Sequence, residues 1–161
     1  MSREQVDTHF ADDVLHALER SGWTEARRVT ATLWIAALER DGNRAFPLAR
    51  DFLERFGGLV LDARPRPDRA FNPGRTLLDP VRAAVGEHDR IAGWQADHGL
   101  VLFPVGYAFD DYAILMITPD EAFYAGTDTQ LLRLGKGTPA CLRMLLFAPT
   151  KPEVIADDLA G

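Results

Sequence analysis

The sequence predicts an α+β fold: a single domain in which N-terminal helices and a C-terminal helix pack against one mainly antiparallel sheet. Three observations lead there. Between Thr8 and His98 apolar residues recur at helical spacing, set off by capping residues and by glycine or proline stops. Beyond Gly99 the pattern shortens into brief apolar runs separated by the turn signals Asp110-Asp111 and Thr118-Pro119-Asp120. Thr138-Pro139 then opens a last helical stripe. At 161 residues the chain has the size of one domain and can bury a core without staples. The domain is read as 1–161, its core as about 8–148, and 149–161 as a weakly packed tail.

The first helix is expected from Thr8 to Ser21, with Phe10, Val14, Ala17 and Leu18 on one face and Gly22 just past its end. Asp12 and Asp13 near its start complement the helix dipole. A second helix starts at Thr24 or Thr30 and stops at Asp41-Gly42; in it Val29 and Leu33, and Trp34 and Leu38, are spaced four apart. The third begins at Pro47, whose φ is already helical, and ends at Gly57-Gly58 before a buried strand, Leu59 to Leu61. Arg64 to Arg75, with three prolines and four arginines, reads as a loop. Asp79-Pro80 caps a helix to about His98, with a possible break at Gly86 or Gly93. Strands follow at Leu100–Phe103, Gly106–Phe109, Tyr112–Thr118, Ala122–Ala125 and Gln130–Leu134. Phe52, Phe56, Leu59, Phe103 and Ile117 are expected in the core.

Composition narrows the function. No apolar run approaches the roughly 20 residues that cross a bilayer, and the polar start MSREQVDTHFADD is unlike a signal peptide, so a cytoplasmic protein without membrane contact is expected. The lone Cys141 excludes an internal disulfide framework. The net charge of −6 is unevenly placed: residues 1–86 carry 13 acidic and 13 basic side chains, residues 87–161 carry 11 and 5. All the excess acid therefore lies in the second half. Such a surface disfavours nucleic acid and anionic lipid as direct partners and favours a basic protein.

Motifs of catalysis are missing. His9 and His16 are seven apart, wider than the i, i+4 pair of helical zinc sites, so no metal or cofactor is expected. Cys141 lies on an apolar stripe, where a thiol acts as a small hydrophobe. The adjacent acids at 12–13, 110–111, 120–121 and 157–158 sit where carboxylates are solvated, whereas acid-base catalysis needs two in unlike environments facing one cleft. Gly135-Lys136-Gly137-Thr138 fails the phosphate-loop pattern because glycine separates Lys136 from Thr138. No enzyme activity is expected.

Five segments occur in an ordered series: SGW followed by Arg27, FLERFGGL (Phe52 to Leu59), VLFPVGY (Val101 to Tyr107), ILMITPDEAFYAG (Ile114 to Gly126) and LLRLGKGTPACLRMLL (Leu131 to Leu146). Together they resemble the SUKH superfamily of bacterial immunity proteins, in particular its third subgroup, from about Phe10 to Phe147. The resemblance implies an α+β fold without a catalytic centre. It also implies an antidote that binds and blocks a cognate polymorphic toxin, such as a nuclease or deaminase. The alternative on the same scaffold is a non-catalytic regulatory adaptor, since fold does not fix function.

The turns of the expected meander supply the candidate partner-binding residues. Asp110, Asp111, Asp120, Glu121 and Asp128 fall at or after those turns, where backbone groups need water. Tyr107, Phe109 and Tyr112 flank the first turn as aromatic anchors amid charge. The expected occupant is a toxin with a basic surface.

Overall fold

The computed structural model describes residues 4–63 and 69–159. Among them are the helices α1 (Asp12–Arg20), α2 (Thr32–Arg40), α3 (Pro47–Phe56), α4 (Pro80–Ala84), α5 (His88–His98) and α6 (Thr138–Phe147). The strands are β1 (Val60–Asp62), β2 (Arg75–Leu77), β3 (Phe103–Ala108), β4 (Ala113–Ile117), β5 (Ala122–Gly126), β6 (Gln130–Lys136) and β7 (Glu153–Asp157). All seven join one antiparallel sheet in sequence order, β1 to β7. The predicted α+β class holds.

Helix ends follow their local chemistry. Past α1, Gly22 takes φ 98° and donates to Glu19 O, while Trp23 N–H reaches back to Leu18 O. Past α2, Gly42 (φ 112°) and Asn43 repeat the pattern on Glu39 O and Leu38 O. Both are Schellman closures, and they explain why the glycine stops were legible. Pro47 opens α3 and Asp79 caps α4 by accepting from Val81 N–H and Arg82 N–H. The long helix expected from Asp79 breaks at Gly86, whose φ is 86°.

Helix starts are less local, and two differ from expectation. α1 begins at Asp12 rather than Thr8, because the preceding segment is held by tertiary bonds: Val6 N–H to Asp51 (2.7 Å) and Asp7 N–H to Glu121 (3.0 Å). α2 begins at Thr32, at neither Thr24 nor Thr30. There Arg27 donates to Arg55 O (2.9 Å) and Gly57 O (2.8 Å), satisfying carbonyls at the end of α3, and Val29 N–H donates to Glu54 O. Leu33 is exposed, so the expected Val29–Leu33 pair does not face the core.

The strands differ in three places. β3 is one strand where two were expected, and Leu100 to Leu102 stay outside it, with Leu102 N–H bonded to the Gln95 side chain. β2 was not expected: it starts at Arg75, the last residue of the segment read as a loop, and residues 64–68 of that loop fall outside the described residues. Residues 153–157 pair with β6 rather than trailing as a tail.

Phe52, Phe56, Leu59, Phe103 and Ile117 are all buried, as predicted. β4 and β5 are buried along their whole length because helices cover both faces. On one face Phe52 of α3 packs on Phe123, with ring centroids 5.3 Å apart. Gly126, three residues on and therefore on the opposite face, lies under Trp94 of α5. A Cβ at Gly126 would come within 2.1 Å of the indole. Gly126→Val is thus expected to displace α5 and cost about 2 kcal/mol in a urea melt; an unchanged midpoint would contradict this packing.

Candidate partner-binding surface

Consecutive hairpins alternate between the two ends of a sheet. The β3–β4 turn (109–112) and β5–β6 turn (127–129) therefore share one end, and the β4–β5 turn (118–121) lies at the other. This divides the sequence-predicted residues. Asp110, Asp111, Asp128, Tyr107, Phe109 and Tyr112 belong to the first end, Asp120 and Glu121 to the second.

The second end is structural. Asp120 is exposed, accepts the Thr118 hydroxyl and lies 3.7 Å from Lys136; the hydroxyl first, then its own backbone N–H and the lysine, hold its carboxyl below the usual carboxylate range. Glu121 corrects the expectation of a solvent-facing turn acid, because it is fully buried. Its Oε2 accepts Thr138 N–H (2.7 Å) at the start of α6 and Asp7 N–H (3.0 Å). α6 has no side-chain cap of its own, so this distant carboxylate serves the helix terminus. Nearby Cys141 is buried. Burial, then the charge of Glu121, pushes its thiol well above the usual range, which removes it as a nucleophile at neutral pH.

The first end is built around an unusual turn. Phe109, Asp110 and Asp111 are three successive left-handed residues, with φ of 58°, 54° and 70°. Such a run of non-glycine residues is strained and needs outside support. Asp110 supplies it: its N–H donates to Arg75 O (2.9 Å) and its carboxylate accepts Arg75 N–H (2.8 Å). Gly74 makes this possible, since a Cβ there would lie 2.2 Å from the Asp110 carboxylate. Phe109 packs edge-on against Phe71 at 5.7 Å. Asp110 and Phe109 thus hold the turn, and what the turn projects is Asp111 and Tyr112, the latter 78% exposed.

Behind Tyr112 is a cleft of about 250 Å³ lined by Tyr107, Asp111, Tyr112, Ile114, Gly126 and Asp128 from the sheet and by Ala83, Glu87 and Arg90 from α4 and the start of α5. Four of the sequence-predicted residues therefore converge. Glu87 and Arg90 were not foreseen, because nothing local to α5 says which end of the sheet it crosses. Arg90 joins the helix to the turn, donating to Glu87 (3.0 Å) and to Thr127 O (2.8 Å) and lying 3.4 Å from Asp128. Larger clefts exist near β1 and beside α3, but they hold none of the predicted residues.

Among the described residues no group of three or more histidine, cysteine or acidic side chains is placed to hold a metal. No described helix is long and apolar enough to cross a membrane. In comparisons with known proteins, no curated protein and no solved structure matches. A family model does, that of the SUKH-3 immunity protein, over residues 10–147. That match covers most of the chain and agrees with the ordered motifs of the sequence: the chain belongs to the SUKH-3 immunity protein family.

Proposed function

We propose that this chain neutralises a cognate toxin in the cytoplasm by binding it directly, with no reaction of its own, and that the β3–β4 and β5–β6 end of the sheet is the surface it uses. Family membership over residues 10–147 carries the antidote reading. The convergence of Asp111, Tyr112, Tyr107 and Asp128 on one cleft supports the location. An exposed aromatic ringed by carboxylates has the anatomy of an interface hot spot. Its charge suits a basic partner, such as a toxin that acts on nucleic acid, by speeding encounter and penalising acidic surfaces. The strained turn adds preorganisation, because Asp111 and Tyr112 are held outward before any partner arrives.

The test is co-expression with the toxin encoded in the same chromosomal neighbourhood. Growth restored by this chain, together with a one-to-one complex on gel filtration, is the expected result. Toxin-arrested cells that this chain fails to rescue would overturn the reading.

A further inference from the structure

A hairpin tip at the surface ordinarily leaves its outward carbonyls to water. In the β5–β6 turn two of them are taken by donors from distant parts of the chain. Arg90 of α5 donates through Nη2 to Thr127 O (2.8 Å), and Asp158 N–H, beyond β7, donates to Thr129 O (2.7 Å). Within the turn the Thr127 hydroxyl accepts the N–H groups of Thr129 (3.2 Å) and Gln130 (2.8 Å). Thr127 and Thr129 are therefore fixed, and Asp128 between them projects, its side chain 97% exposed.

Arg90 is itself held in place. Its Nη1 donates to the Glu87 carboxylate (3.0 Å), and its Cζ lies 5.2 Å from the centre of the Trp94 ring. That indole in turn covers Gly126, the residue before Thr127. α5 thus grips the end of β5 with an indole and the start of the turn with a guanidinium. A planar fork laid on an aromatic face reaches carboxylate and carbonyl at once, which the single ammonium of a lysine does not reproduce. Among the described residues lining the cleft behind Tyr112, Arg90 is also the one cation, beside Glu87, Asp111 and Asp128. On charge alone it opposes a basic partner. What it supplies is geometry.

We infer that Arg90 is a positioning residue of the toxin-binding surface: it acts on the partner through the β5–β6 turn, by fixing the direction of the Asp128 carboxylate, and not through its own charge. This rests on the toxin-binding reading and adds the residue that sets the geometry of that surface. A carboxylate aimed before contact avoids the ordering cost that a loose turn would meet on binding. The benefit lies in slower release, because encounter is steered by the charge of the surface, which Arg90 makes less negative.

The first readout is amide hydrogen exchange in the purified full chain. Arg90→Gln is expected to lose protection at Thr129 and Gln130, while Arg75 and Asp110 at the neighbouring turn keep theirs. The second readout is binding to the toxin. Arg90→Gln should bind about tenfold more weakly through faster release, and Arg90→Lys should do nearly the same although it keeps the charge. In the Asp128→Asn background the same Arg90→Gln change should cost less than about twofold, because the group it aims is gone. Action through charge predicts the opposite sign: faster, tighter binding by Arg90→Gln and wild-type binding by Arg90→Lys. That result would overturn the inference. So would unchanged protection of Thr129 and Gln130, or an equal loss of affinity in both backgrounds, which marks a general structural role. Each of these leaves toxin neutralisation standing. A wild-type chain that binds no toxin would overturn both.

Discussion

Replacing Glu121 with alanine is expected to lower the unfolding free energy by about 3 kcal/mol, the largest single stability effect proposed for a polar residue of this chain. The side chain is fully buried and accepts from two separate segments, Asp7 N–H at 3.0 Å and Thr138 N–H at 2.7 Å. Alanine leaves both donors without that acceptor, and the Thr138 amide is buried. It also removes a negative charge from the start of α6, where the N–H groups that lack partners within the helix favour one. The main chain would hold on alone, through Gly137 N–H to Glu121 O at 2.7 Å. Glutamine keeps a carbonyl acceptor and loses only the charge, so Glu121→Gln should cost about 1 kcal/mol. Urea denaturation measures both, as a midpoint shift at constant slope. An alanine variant that loses less than 1 kcal/mol would show that Glu121 does not pin α6 and the N-terminal segment together.

That role also decides how the binding surface is to be probed. Neutralising Glu121 together with the exposed acids would mix loss of fold with loss of contact. Asp110 carries the same risk for a different reason, since its carboxylate and N–H tie the left-handed turn to Arg75. Asp111 and Tyr112 are free of both roles and exposed, and Asp128 is an exposed acid whose 3.4 Å approach to Arg90 is screened by solvent, so the three report on contact.

The features read correctly from sequence are those with local causes. Pro47, Gly22, Gly42, Gly57 and Asp79 act through their own backbone geometry or hydrogen bonds, and each marks a helix boundary in the structure. The starts of α1 and α2 depend instead on partners far along the chain, Glu121 and the carbonyls ending α3, which no local window contains. β2 is three residues long and β7 follows two prolines, so neither displays enough alternation to read as a strand. For the site, one signal was available and unused. A meander sends alternate turns to opposite ends, so Asp120 and Glu121 could be separated from Asp110, Asp111 and Asp128 from the strand order alone. The burial of Glu121 was not legible, because Pro119-Asp120-Glu121 has the composition of a solvated turn. Nor was the part played by Arg90 and Trp94, which depends on where α5 crosses the sheet and on Gly126 leaving room for the indole.

The second large effect concerns the partner. The variant Asp111→Asn/Tyr112→Ala/Asp128→Asn removes the exposed aromatic and two carboxylates from one cleft while leaving the core and the turn supports intact. Truncating an interface aromatic together with its charged surround is expected to weaken toxin binding about 100-fold, or roughly 2.7 kcal/mol. The loss should divide between slower association, from the carboxylates, and faster release, from the tyrosine. Because these side chains are exposed, the melting temperature should move little.

The most direct measurement of the central claim is the affinity of the purified toxin for the wild-type chain and for this triple variant, followed from low to high salt. Tight wild-type binding, a roughly 100-fold loss in the variant and a flatter salt dependence are the predicted results. Equal affinity and equal salt dependence in a variant that is folded would contradict the claim that the acidic end of the sheet is where the toxin is held.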